Sequence, residues 1–205
     1  MAVEFGFRFG TEYVNPRYFG PTYIDEFQRV LRTYAASGTA NILEWGSGLT
    51  TQVLARHAES LPAVELLLTI DSNADYQKAI FADRVRPPFL KEVALDTIGP
   101  RNCGADPELA YSTYPLSLGR KFDFIFIDGR RRMECAFIAT LLSHSKTVVA
   151  LHDYRRGRYQ PILALYDVIE DGAEFRVLRP RPSILAVTGE GIARVEAGIR
   201  GSAGA

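Results

Sequence analysis

Cysteine is scarce: two residues in 205, Cys103 and Cys135, far apart and without the spacing of metal ligands. This rules out a disulfide framework and predicts free thiols rather than a zinc site. Charge of one sign is also missing, since 24 basic residues balance 24 acidic ones. A general attraction to nucleic acid or to an anionic membrane is therefore not expected, although local patches remain open. No stretch approaches the roughly 20 apolar residues that cross a bilayer. The first ten residues, MAVEFGFRFG, contain no basic segment followed by an apolar run, so no signal peptide is read there. No internal repeat is found. These absences lead to the expectation of a cytoplasmic protein with no membrane or nucleic-acid partner.

What is present is ordinary globular composition, 47% hydrophobic and 23% charged. The length suits one domain with a full core. Residues 1–20 read as an irregular arm, 21–190 as the domain and 191–205 as a tail. Thr22 is placed to cap a helix running to about Ala36, with Ile24, Phe27, Val30, Leu31 and Tyr34 on one face. Strand and helix then alternate. Strands are expected over Asn41–Glu44, Val64–Ile70, Lys91–Leu95, Phe122–Ile127 and Thr147–Leu151. Helices are expected over Thr50–Ser60, Ala74–Val85, Met133–Leu142 and Gln160–Glu170. Gly99–Gly119 reads as a long loop. Phe175–Leu178 and Ile184–Val187 read as two strands joined by Arg179-Pro180-Arg181-Pro182, a link that suits an antiparallel pair. The fold class is thus α/β, a doubly wound Rossmann-like sheet of seven strands, mostly parallel and closed by an antiparallel hairpin.

In such sheets the ligand lies beyond the carboxyl ends of the strands, so the residues there carry the functional reading. The first strand ends in Glu44-Trp45-Gly46-Ser47-Gly48. Two glycines one residue apart allow a tight turn and close approach of a ligand to backbone. Thr51 stands where a dinucleotide fingerprint has its third glycine. A buried acid such as Glu44 is costly unless it meets a cation or donors, and it suits an ammonium better than a pyrophosphate. Asp71, followed by Ser72, ends the second strand and reads either as a ribose-binding acid or as a helix cap. Asp96 and Thr97 end the third, where Asp96 faces an adenine amino group or is a polar turn residue. Asp128 ends the fourth strand, and His152 and Asp153 end the fifth. Together these three suit a divalent cation or a general base. Alternatively, Asp128 is a helix cap and His152 a buried, hydrogen-bonded residue.

From about Ala40 to Val187 the chain resembles the class I S-adenosylmethionine-dependent methyltransferases. Glu44-x-Gly46-x-Gly48 is similar to their first motif, Asp71 falls at their ribose-binding acid, and Asp96 falls at their adenine contact. The closing hairpin also matches that class. The resemblance implies S-adenosylmethionine as cofactor, with Glu44, Gly46, Ser47, Gly48, Asp71, Ser72, Asp96 and Thr97 holding it. Phe-Asp-Phe-Ile-Phe-Ile-Asp-Gly followed by His-Asp-Tyr is similar to metal-dependent O-methyltransferases of sugars or catechols. That likeness implies Asp128 and Asp153 as ligands of Mg2+ or another divalent cation. The match is incomplete, because Tyr154 stands where catechol-type enzymes carry Asn. Uncharacterised bacterial methyltransferase-like proteins are similar at Asp-Gly-Arg-x-Arg and Asp-Tyr.

Arginines crowd the same strand ends: Arg130, Arg131 and Arg132 after the fourth strand, and Arg155, Arg156 and Arg158 after the fifth. They form either a solvated basic rim or a grip on an anionic acceptor, for which Arg130, Tyr154 and Arg156 are the candidates. The expected activity is methyl transfer to a small molecule, at oxygen, with Asp128, His152 and Asp153 as catalytic residues. The rival readings are a nicotinamide-dependent oxidoreductase and a non-catalytic ligand-binding member of the fold.

Overall fold

The structure is a computed structural model, and it describes residues 5–14, 22–95 and 107–189. Asp96, Thr97, Cys103 and the expected tail lie outside the described residues. A short hairpin, β1 (Phe7–Phe9) and β2 (Glu12–Val14), stands in the arm that the sequence presents as irregular. Its Phe7 and Phe9 rings pack edge-on against Tyr76. Helix α1 (Tyr23–Tyr34) follows, and it buries Tyr23, Ile24, Phe27, Val30 and Leu31 on one face, as their helical spacing requires. Thr22 does not cap it through its side chain, which instead meets Glu174 at 3.4 Å.

The main sheet is built from β3 (Asn41–Trp45), β4 (Leu66–Asp71), β5 (Leu90–Ala94), β6 (Phe124–Ile127) and β7 (Val148–His152), all parallel. Two antiparallel strands complete it, β8 (Tyr166–Asp171) and β9 (Phe175–Pro180). The order is β5-β4-β3-β6-β7-β9-β8, so the chain reverses direction across the sheet between β3 and β6. Alternation sorts each strand between two cores. Ile42, Phe124 and Phe126 face α1, α2 (Leu49–Glu59) and α3 (Ala74–Ile80). Leu43, Trp45, Ile125 and Ile127 face α4 (Pro107–Thr113) and α5 (Arg132–Leu141). With both faces covered, β4 and β6 carry nearly unbroken apolar runs.

Three expected elements differ. Residues 107–118 are helical, as α4 and a 3-10 turn, where the sequence suggests loop; the fully buried Tyr111 ties α4 to the core. The expected helix Gln160–Glu170 is a 3-10 helix, Gly157–Ala164, followed by β8. Pro161 has no N–H to donate and disfavours a regular helix there. The half-buried Glu170 and the exposed Asp171 belong to an edge strand, whose polar outer positions read like a helix surface. Finally, Ile184–Val187 lies within a helix over 182–189, not a strand. Pro182 occupies its first position, where the missing N–H costs nothing. The closing hairpin is real, but it is made one element earlier.

Helix α1 is fastened to that hairpin. The Glu26 carboxylate accepts the N–H groups of Ala173, Glu174 and Phe175 in the β8–β9 turn, and Arg29 and Tyr34 bond Glu170. Cys135 on α5 is a free, buried thiol whose pKa burial pushes well up. No helix among the described residues is long and apolar enough to cross a membrane.

Candidate functional site

The carboxyl ends of β3, β4 and β6 open into a cavity of about 380 Å3, lined by Gly46, Ser47, Gly48, Asp71, Ser72 and Asp128, among others. The turn after β3 passes over the end of β6. Gly46 has φ +99, and a Cβ there would come within 2.5 Å of Gly129 Cα. Gly129 N and Asp128 N both donate to Trp45 O, at 2.7 and 2.9 Å, which locks the two strand ends together. Gly48 differs in kind. Its backbone is extended, and a Cβ would find only the Tyr76 hydroxyl within 4 Å, at 3.8 Å. Glycine is therefore dispensable to the fold at Gly48 and leaves the cavity floor bare.

Glu44 does not reach this cavity itself. It is 0% exposed, beneath the first turn of α2. Thr50 Oγ1 donates to one carboxylate oxygen at 2.6 Å, and Thr51 and Thr69 donate to the other at 2.6 and 2.7 Å. Burial pushes its pKa to about 7, against the pull of those three hydroxyls. Thr50 lines the cavity and connects Glu44 with it directly, while Thr51 and Thr69 do so through Gly48 and Ser47. Thr51 also accepts Gly48 N–H at 2.8 Å, a structural use for the residue at the missing third glycine. Ser47 Oγ extends the network to Thr69 at 2.6 Å and to Gln77 at 2.9 Å.

Asp71 opens onto the cavity as expected. Its oxygens accept Ser47 N–H at 3.0 Å and Asn73 N–H at 2.8 Å. Asn73, not Asp71, caps α3 through its side chain. Burial raises the Asp71 pKa, with those N–H bonds acting against the rise. Arg130 leans over the rim, its Nε 3.2 Å from Ser72 Oγ.

At the other end of the cavity stands a residue the sequence did not single out. Tyr23, from α1, donates its hydroxyl to Asp128 Oδ2 at 2.8 Å. Burial and then the Asp128 charge raise its pKa well above the ordinary tyrosine value. The other oxygen, Oδ1, lies 2.7 Å from His152 Nδ1 and accepts Arg132 Nη2 at 2.7 Å. Thus Asp128 and His152 come together as expected, with Asp128 on the cavity and His152 behind it. Asp153 lies on the far side of Arg132, which donates Nη1 to its Oδ2 at 3.0 Å.

Arg132 is the hub of this cluster. Its side chain is 11% exposed, and its remaining bonds go to the carbonyls of Asp128, Gly129 and His152. Its guanidinium spans the two carboxylates that the resemblance implies as metal ligands. A cation shared by Asp128 and Asp153 would have to displace a buried positive charge that is already fully hydrogen-bonded. The residues present do not fit a divalent metal. Strain accompanies the arrangement: Arg131 and Asp153 take left-handed backbone, at φ 52 and 59.

A second cavity of about 490 Å3 adjoins the first at Gly129 and Arg130. Arg156, Arg158 and Tyr159 line it opposite the start of α5. Arg156 pairs with Asp153 at 2.7 Å and Arg131 with Glu134. Tyr154, expected at the acceptor, lies away from both cavities. It is buried, donates to Gly172 O at 2.7 Å, and carries the Arg176 guanidinium 4.4 Å above its ring.

No protein-family model matches this sequence, and no curated protein matches it. Solved structures do. The fold is similar to that of a methyltransferase-like protein from Silicibacter pomeroyi, at TM-score 0.57 and 21% identity over 82% of this chain and 92% of that one. It is similar to the MycE methyltransferase of the mycinamycin biosynthetic pathway, in complex with Mg and SAH, at TM-score 0.52 and 12% identity over 80% of this chain and 46% of that one. It is also similar to a 16S rRNA methyltransferase from T. thermophilus in complex with AdoMet and guanosine, at TM-score 0.51 and 18% identity over 84% of this chain and 45% of that one. This chain spans less than half the length of the last two. The likeness establishes the methyltransferase fold, while the partners of those proteins differ widely.

Proposed function

We propose that the chain uses S-adenosylmethionine to methylate a hydroxyl group of a small-molecule acceptor, sugar-like or anionic. The observation that carries this reading is the cavity floor. Gly48 leaves open space where any side chain would fit the backbone, beside the Asp71 carboxylate. Asp71 retains acceptor capacity for a ribose hydroxyl after its backbone bonds are made. Two proteins of the same fold are complexes with SAH or AdoMet, which supports the choice of ligand. The nicotinamide alternative is disfavoured by Thr51, whose hydroxyl is committed to Gly48 N and Glu44, and by antiparallel β9 lying between β7 and β8. A ligand-binding protein without turnover would keep the same cavity, and the difference lies in the Asp128 cluster.

Bound in this cavity, S-adenosylmethionine would supply an electrophilic methyl group. The chain's task is to orient the acceptor and take its proton. Asp128 faces the cavity, and Oδ2 has a lone pair beyond the one that accepts from Tyr23. An acceptor hydroxyl held there would pass its proton to Asp128 as its oxygen is methylated. Tyr23 stays protonated and acts as a donor that orients the carboxylate. His152 and Arg132 fix the other oxygen, and Asp153 anchors Arg132. Titration with S-adenosylhomocysteine and with NAD tests the reading. The first should raise the melting temperature and the second should not, and the reverse would overturn it. Turnover of S-adenosylmethionine over a panel of acceptors separates an enzyme from a binding protein.

A further inference from the structure

The second cavity has more positive charge than the fold needs. Five arginines line it: Arg130, Arg131, Arg132, Arg156 and Arg158. Three of them are satisfied, Arg131 by Glu134, Arg132 by Asp128 and Asp153, and Arg156 by Asp153. Arg130 and Arg158 have no carboxylate within ion-pair distance among the described residues. Arg130 meets Ser72, and Arg158 stacks on Tyr159 at 4.8 Å and bonds its hydroxyl at 2.9 Å. Neither guanidinium is bonded to a carboxylate; the Arg130 charge is felt by Asp71, whose pKa rise it opposes, and Glu134 also lines the cavity. The first turn of α5 opens on the same space, an end where the helix dipole disfavours cations and favours an anion.

We infer that this cavity seats a phosphate-type dianion, and that the acceptor is a phosphorylated small molecule. Two unpaired guanidinium groups match the charge of about −1.5 to −2 that a phosphate monoester carries at pH 7. Their planar donor sets match its oxygens. A single carboxylate would leave one of the two charges unmet. The wall shared with the first cavity is Gly129 and Arg130, so a molecule with its phosphate in the second cavity has a short path over a side-chain-free residue to Asp128. A nucleic-acid backbone would present phosphate chemistry too, but 24 acidic residues balance the 24 basic ones, so the composition does not point to a polyanion partner. The identity of the ligand as acceptor rests on the methyl-transfer reading; the anion site does not.

The test uses isothermal titration of the full chain with inorganic phosphate at fixed ionic strength, with acetate and a 12-mer single-stranded RNA as comparison probes. Arg158→Met and Arg130→Met are compared with the remote surface variant Arg56→Met. Phosphate should bind at one site, and more tightly than acetate by about tenfold, as expected for an added charge-assisted bond. Each of Arg158→Met and Arg130→Met should weaken it by about tenfold or more, while Arg56→Met should not. Arg158→Met should leave S-adenosylhomocysteine binding unchanged, which also reports that the variant is folded. Absent phosphate binding, equal affinity for acetate, or indifference to both arginines overturns the inference. So does RNA that displaces phosphate with a steep salt dependence, which would mark a polyanion surface. If phosphate binds through these arginines and S-adenosylhomocysteine does not bind, the anion site stands and its assignment to an acceptor falls. If only S-adenosylhomocysteine binds, methyl transfer stands and the anion site falls.

Discussion

Gly46 and Gly48 lie two residues apart in one turn, and the structure gives them opposite duties. Alanine at Gly46 would place a Cβ within 2.5 Å of Gly129 Cα while holding φ near +99. Backbone strain of ~1–3 kcal/mol and overpacking of ~1–3 kcal/mol together suggest a cost of about 4 kcal/mol. For a chain of this length that lowers Tm by roughly 8–16 °C. Alanine at Gly48 meets extended backbone and open space, so it should stabilise by about 0.4–1 kcal/mol through the unfolded chain. Its Cβ stands on the floor where the cofactor would lie. Scanning calorimetry with and without S-adenosylhomocysteine reads both effects. At a hundredfold excess over Kd the ligand adds about 2.7 kcal/mol to the native chain, a rise of roughly 5–11 °C. Gly48→Ala should raise the basal Tm by roughly 1–4 °C and lose most of the ligand-induced rise. A Gly48→Ala protein with the full ligand-induced rise would refute the cofactor pose, and a Gly46→Ala protein as stable as the native chain would refute the packing argument.

Other outcomes follow from the same geometry. Glu44 has its folded pKa raised from 4.5 to about 7, so its contribution to stability is largest at low pH and is lost as pH rises from about 4.5 to 7. Denaturant melts at pH 5 and pH 8 should show a fall, of order 3 kcal/mol at most, that is smaller in Glu44→Gln. Asp128→Asn should lower transfer by about 10²–10⁴-fold while S-adenosylhomocysteine affinity stays within a few-fold, and comparable turnover would remove Asp128 as proton acceptor. Because Arg132 spans Asp128 and Asp153, EDTA should leave transfer unchanged. Arg132→Met should cost about 3 kcal/mol in a chemical melt, since Asp128 loses its cation while Asp153 keeps Arg156.

The legibility of this chain in its sequence divides along a physical line. Buried parallel strands and the glycines of the first turn announce themselves, because burial on both faces and close approach each permit few residue types. Asp71 and Asp128 are legible for the same reason: an acid at the end of a buried strand needs a use. The edge strand β8 reads as helix because, apart from Tyr166, none of it is buried and no alternation marks it, and the helix over 182–189 reads as strand because it is short and apolar. Tyr23 was invisible as a site residue. It lies on α1, 105 residues from Asp128, and on a helix face its spacing says only that it is buried. Arg132 carries no signal either, since three successive arginines do not reveal which one turns inward. The exchange of an expected metal for a guanidinium is therefore a fact of three dimensions.

The clamp between Glu26 and the β8–β9 turn has a kinetic meaning. It joins residues almost 150 apart, and it fixes the helix that delivers Tyr23 to Asp128. Contacts of such separation form late, after the loop-closure cost has been met. On the ribosome, β9 must leave the exit tunnel before this clamp on α1 can close. Placement of Tyr23 is thereby tied to one event, the docking of the earliest helix of the main fold onto its last two strands.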